Sequence, residues 1–224
     1  MNFMQWLNSL DDLLYEIVSW IVFFPITLWK IIRHPLAMMA YAEAQLSDPA
    51  EEQYTQTLSP PVFLVLALVI AHAMELALGK GVNPIVRSQH GLAGLVNDDT
   101  SLLFLRLILF SVFPLIMATR LVSQQPVPFD RQTLQRPFYA QCFAAAPFAL
   151  AISLGGTLAQ MQVPSVRIAG LVTAALAFLL YGSMQTLWFA RQLGRSYFRG
   201  FLDASIALVA SLVVALIAAT LFVL

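Results

Sequence analysis

Five long apolar runs, separated by short polar gaps, make up most of the 224-residue chain. They cover residues 60–79, 101–119, 138–159, 167–190 and 201–224. Each approaches or exceeds the roughly 20 apolar residues that a helix needs to cross the hydrocarbon core of a bilayer. The gaps leave no room for a second soluble domain. A sixth run, 13–32, has a different pattern. Asp12, Glu16, Ser19, Thr27, Lys30 and His34 follow one another at helical spacings, broken only by Phe23. At about 100° per residue they share one narrow face. The opposite face carries Ile17, Trp20, Ile21, Phe24, Leu28, Trp29 and Ile31. A polar stripe backed by an aromatic-rich apolar face suits the membrane interface. The spacing therefore predicts an interfacial amphipathic helix, bent near Pro25, with a sixth span as the alternative.

The stretch 41–59 is polar. Asp48-Pro49-Ala50-Glu51 has the form of a helix start, with Asp48 accepting from the first turn and Pro49 at the first helical position. A short surface helix is expected there, ending before Pro60-Pro61. Those two prolines fit the first turn of the first span, whose amide hydrogens have no helical partner anyway. The fold class that follows is all-α: a polytopic membrane bundle of five transmembrane helices (60–224) preceded by a cytoplasmic or interfacial N-terminal region (1–59).

Composition agrees. The chain is 59% hydrophobic and 11% charged, whereas a soluble domain carries about 25% charged residues. Charge placement then gives an orientation. Lys30 and Arg33 precede the first span, Arg120, Arg131 and Arg136 follow the second, and Arg191, Arg195 and Arg199 follow the fourth. These eight lie on one side; Lys80, Arg87 and Arg167 lie on the other. Basic residues stay cytoplasmic, so the N-terminal region is expected inside and the C-terminus outside. Tyr139, Trp188 and Tyr197 mark the same inner boundary as aromatic anchors. Residues 1–12 hold two acids and no Lys or Arg, unlike the basic start of a secretory signal, so the first helix is expected to be retained. Zero net charge speaks against nucleic-acid binding, which calls for a basic surface.

Ionisable residues inside a membrane are costly and are the first functional suspects. His72 and Glu75 lie one turn apart on the first span, and Arg106 lies on the second. Glu75 is about 21 Å from the inner boundary and Arg106 about 20 Å, at 1.5 Å per residue. Matching depth on adjacent antiparallel helices predicts a Glu75–Arg106 ion pair with His72 beside it. The competing arrangement has Arg106 snorkelling outward and Glu75 reaching water near Lys80. Secondary polar positions are Tyr181 and Gln185, one turn apart on the fourth span and able to bond across helices. Asp203 lies at the mouth of the fifth span near Arg199.

Small residues recur every fourth position: Ala145, Ala149, Ser153 and Thr157 on the third span, and Ala207, Ser211, Ala215 and Ala219 on the fifth. Such faces let helices approach closely, within one chain or between copies. Pro114 and Pro147 are expected to kink their spans. Several chemistries lack their residues. No Gly-rich loop leads into Lys-Ser/Thr, and Gly79-Lys80-Gly81 reads as a turn. One cysteine, Cys142, allows no internal disulfide and no cysteine metal cluster. His72 and Glu75 would supply two metal ligands where three or four are needed, and His34 and His90 lie at other depths. No metal, cofactor or enzymatic activity is expected.

The segment Phe138-Tyr139-Ala140-Gln141-Cys142-Phe143-Ala144-Ala145-Ala146-Pro147 follows a basic loop and places a proline in the third turn. It resembles the third span of the Yip family, the Ypt/Rab-interacting membrane proteins and their bacterial relatives. The layout of a cytoplasmic N-terminal part, five clustered spans and an outside C-terminus looks like that family too. Phe23-Phe24-Pro25 through His34-Pro35 is similar to the start of bacterial proteins often labelled permeases. Where eukaryotic members carry an Asp-Leu-Tyr-Gly-Pro-like motif, this chain reads Gln56-Thr57-Leu58-Ser59-Pro60-Pro61, and Gln124-Gln125-Pro126-Val127-Pro128 replaces the family's glycines before the third span. The resemblance implies a bacterial inner-membrane protein without enzymatic activity, which binds protein partners or organises membrane lipid, alone or as a homo-oligomer. The alternative is a small-solute permease using His72, Glu75 and Arg106.

Overall fold

A computed structural model describes residues 3–78 and 99–223. Lys80, Arg87, His90 and the Gly79-Lys80-Gly81 turn lie outside the described residues. The described residues form seven helices and no strand: α1 (Phe3–Arg33), α2 (Pro35–Gln45), α3 (Pro60–Ala77), α4 (Asp99–Ser123), α5 (Arg131–Ala159), α6 (Pro164–Gln192) and α7 (Tyr197–Val223). Six of them, all but α2, are long and apolar enough to cross a membrane. Leucine, isoleucine and valine side chains along α1, α6 and α7 face outward. With no interior left to cover them, lipid must. The chain is a polytopic helical membrane protein.

The hub is α5. Half of its most apolar stretch is buried, against 11% of that of α1. It packs against α2, α3, α4 and α6, while α7 closes the far side against α4 and α6. Its alanines explain why it can be central. Ala140, Ala144, Ala145, Ala146 and Ala149 are buried on several sides at once, and small side chains bring neighbouring backbones close. The two small-residue stripes turn inward, with Ala145, Ala149, Thr157, Ala207 and Ser211 buried. The side chain of Ala219 lies outside the described residues. The closest approach is between α5 and α6 at Gly155 and Gly170. A Cβ on Gly170 would stand 2.6 Å from the Gly155 carbonyl oxygen and 2.3 Å from the Ala159 nitrogen. Each helix carries on through its internal proline, Pro25, Pro114, Pro137 or Pro147, so α1 has no break at Pro25.

Chain ends of the helices follow local rules. His34, in front of Pro35, has φ −139° and ψ 62°. The proline ring disfavours helical backbone for the residue before it, and the elbow between α1 and α2 sits there. At α5, Asp130 accepts from the Thr133 amide at 2.8 Å while the Thr133 hydroxyl accepts from the Asp130 amide at 3.1 Å. This capping box starts the helix seven residues before the apolar run at Phe138. After α6, Gly194 adopts a left-handed φ of 59°. The Arg195 amide then donates back to the Ala190 carbonyl at 3.0 Å, closing the helix and directing the chain into α7.

Residues 46–58 do not form the helix expected from Asp48-Pro49. They make successive turns instead. The Gln45 amide captures the Asp48 carboxylate at 2.9 Å, and Gln45 Oε1 takes the Tyr54 amide at 2.6 Å. Asp48 is thus engaged by the end of the preceding helix rather than capping a following one. The preceding helix, α2, is absent from the periodicity; it forms because Met38, Met39 and Ala42 are buried against the bundle.

Candidate functional site

Polar groups inside the bundle gather at three centres. The first joins α3 to α4. A guanidinium nitrogen of Arg106, Nη2, pairs with Glu75 Oε2, and Nη1 lies 3.5 Å from His72 Nδ1. An arginine only donates, so Nδ1 takes this contact with its lone pair. His72 is buried, and Glu75 and Arg106 are mostly so. The structure therefore brings His72, Glu75 and Arg106 together. The pairing neutralises two charges that would each be costly alone in the bilayer.

The second centre ties α4, the α6–α7 turn and α7. Asp203, 6% exposed, accepts from Arg120 Nη2 at 2.6 Å through one oxygen and from Arg195 Nη1 at 3.0 Å through the other. Arg195 Nη1 also donates to Gln124 at 3.1 Å. Asp203 was expected near Arg199, its neighbour one turn back. The left-handed turn at Gly194 instead swings Arg195 onto it, and Arg120 arrives from another helix. Two guanidiniums on one carboxylate make a charge-assisted clamp.

The third centre lies between α5 and α6. Gln141 and Gln185, both buried, exchange two hydrogen bonds at 2.9 and 2.6 Å. Tyr181 was expected to share in such bonding. Its hydroxyl lies near Gln185 but makes no hydrogen bond of good geometry; its ring stacks on Phe148 at 4.4 Å. Trp188, read as an interfacial anchor, is 1% exposed and belongs to the core. Tyr197 is 71% exposed, as an anchor should be.

A fourth feature escaped the sequence reading: an ordered polar platform at one end of the bundle. Thr27 Oγ1 of α1 accepts from the Leu58 amide at 3.1 Å, and Lys30 Nζ donates to the Gln56 carbonyl at 3.2 Å. The stripe on α1 thus spends two of its polar residues on holding the 46–58 segment. Arg136 donates to Ser47 at 3.0 Å and Gln192 to Glu43 at 2.7 Å. Tyr54, with a left-handed φ of 55°, donates to the Ala42 carbonyl at 2.8 Å. It packs edge-on to Tyr41 and beside Tyr139. Burial pushes the Tyr54 phenol well above its usual pKa, and the neighbouring Tyr139 adds to the effect. Burial likewise raises the Glu43 carboxyl, against the opposing pull of Gln192 and the Arg136 charge.

No group of three or more His, Cys, Asp or Glu among the described residues is placed to hold a metal ion. Compared with known proteins, the chain matches no family model, no curated protein and no solved structure.

Proposed function

We propose that this protein is a non-enzymatic membrane protein of Yip-like type, which binds protein partners or organises lipid at the cytoplasmic face of a bacterial inner membrane. The observation that carries this reading is the platform. A segment rich in Asp, Glu, Gln and Tyr, 41–58, is held in a defined shape by side chains from α1, α2, α5 and α6. Ordering a polar surface segment costs about 1–2 kcal/mol per residue in backbone entropy alone, which a mere linker would not require. The platform shares its end of the bundle with Lys30, Arg120, Arg136 and Arg195, the side that charge bias assigns to the cytoplasm.

A small-solute permease is the second reading, favoured by the meeting of His72, Glu75 and Arg106 between α3 and α4. Native mass spectrometry of the full chain in mild detergent separates the two. A retained protein partner, or a homo-oligomer holding defined lipid, is the expected result. A bare monomer that binds added solutes, and loses them in the His72→Ala, Glu75→Gln double variant, would overturn it in favour of the permease.

A further inference from the structure

Two cavities adjoin beneath the α1–α2 elbow and share Leu36 and Leu187 in their walls. The larger, about 420 Å³, is walled by Ile31 and Ile32 of α1, Pro147 and Phe148 of α5, and Leu180 and Met184 of α6. It has the volume of a small-ligand pocket and a hydrocarbon interior. It borders Ile32, Leu180 and Leu187, which are exposed on the apolar outer surface, so a lipid tail can enter sideways. The smaller, about 350 Å³, has Arg191, Arg195 and Tyr197 in its wall. Along α6 the apolar slot runs from Ala177 to Leu187, about 15 Å, and Arg191 follows about 6 Å further on. A hydrocarbon slot thus leads to a basic mouth where α6 leaves the span.

Charge at that mouth is unbalanced. Asp203 is already shared by Arg120 and Arg195. Both side-chain bonds of Arg195 run through Nη1. Glu43 is held by Gln192. Arg191 is exposed and has no carboxylate partner among the described residues. An occupant that suits both halves must have an apolar tail and an anionic head.

We propose that this composite groove binds one anionic phospholipid of the surrounding bilayer, with an acyl chain in the slot and the phosphate at Arg191 and Arg195. The inference deepens, and rests on, the lipid-organising part of the function proposed above.

The test uses the full chain released from vesicles of equal phosphatidylglycerol and phosphatidylcholine and weighed by native mass spectrometry. One phosphatidylglycerol is expected to stay bound in preference to phosphatidylcholine. Arg191→Gln should lower that preference about fivefold, as expected for one basic side chain at an anionic surface. Ala151→Phe, which fills the slot, should abolish the bound lipid while leaving Arg191 in place. If Ala151→Phe fails to fold, Leu180→Trp at the exposed rim takes its role. Equal retention of the two lipids would overturn the proposal. So would a preference that survives filling of the slot, which would mean surface arginines acting alone. A slot variant that changes the protein's oligomeric mass instead of its lipid count would assign the groove to a second copy of the chain. A protein partner retained without any lipid preference would remove the groove but leave the wider functional reading standing.

Discussion

At the scale of single residues, depth along a helix was more legible than rotation about it. Counting residues from the span ends placed Glu75 and Arg106 at one level, and they meet there. The same count matches Gln141 to Gln185, both near the inner ends of their spans, and they bond there. Trp188 shows the other limit: its level suits an anchor, but its side chain is buried in the core. Two predictions belong at this scale. Glu75→Gln should leave the Arg106 charge without its Glu75 partner and cost less than about 3 kcal/mol, the insertion-scale cost of a lone charge at the centre of a span, lowering the thermal midpoint in mild detergent. The exchange Glu75→Arg with Arg106→Glu should recover most of the loss; an exchange no better than either single change would remove the pair as a stabilising unit. Glu43 gives a prediction with a pH sign. Its carboxyl is raised above the ordinary 4.5 by burial, so its contribution favours the folded state below that value and is lost as pH rises through the folded pKa. Glu43→Gln keeps an acceptor for Gln192 and removes the buried charge. It should raise the melting temperature over wild type at pH 7, and the difference should shrink on acidification toward pH 4.5. A difference independent of pH would mean the carboxylate is not penalised.

At the scale of elements, the apolar runs located five helices and their order, because a bilayer demands continuous apolar length and little else. What they missed was set by neighbours. The chain 35–45 has no strong stripe, and it is helical because Met38, Met39 and Ala42 find a wall to pack on. The start of α5 was readable in Asp130 and Thr133, a capping signal that an apolar-run search starting at Phe138 overlooks. The stripes on α5 and α7 marked inward faces correctly, but the tightest contact lies at Gly155 and Gly170, outside both stripes. Gly170→Ala would press a methyl carbon into the backbone of α5 at 2.3–2.7 Å, where no side chain can yield. Overpacking of this kind costs about 1–3 kcal/mol. Gly182→Ala, twelve residues on in the same helix, meets nothing within 4 Å. It should be neutral, or stabilising by about 0.5–1 kcal/mol, since alanine is the better helix former. Equal thermal midpoints for the two variants would show that α5 and α6 do not approach as closely as described.

At the scale of the whole molecule, the basic residues and the platform define one end, and that end should face the cytoplasm. Charge bias alone made the assignment from sequence. The structure adds that Lys30 and Arg136, far apart in the chain, are both bonded to the 46–58 segment, so they lie on one side together. The opposite end is marked by the α5–α6 turn, where Ser165 is exposed. The chain's own cysteine, Cys142, is fully buried, so new surface thiols can be read without removing it. Glu51→Cys should react with a membrane-impermeant maleimide only when the cytoplasmic face is open, in inverted vesicles. Ser165→Cys should react in intact spheroplasts. Reversed labelling would invert the orientation and set the arginines of the lipid mouth on the outer leaflet. Labelling of both from one side would contradict the bundle itself, since α3, α4 and α5 would then not all span. The expected pattern places the 41–58 surface and the Arg191–Arg195 mouth at the inner leaflet, where anionic lipid and cytoplasmic partners are both within reach.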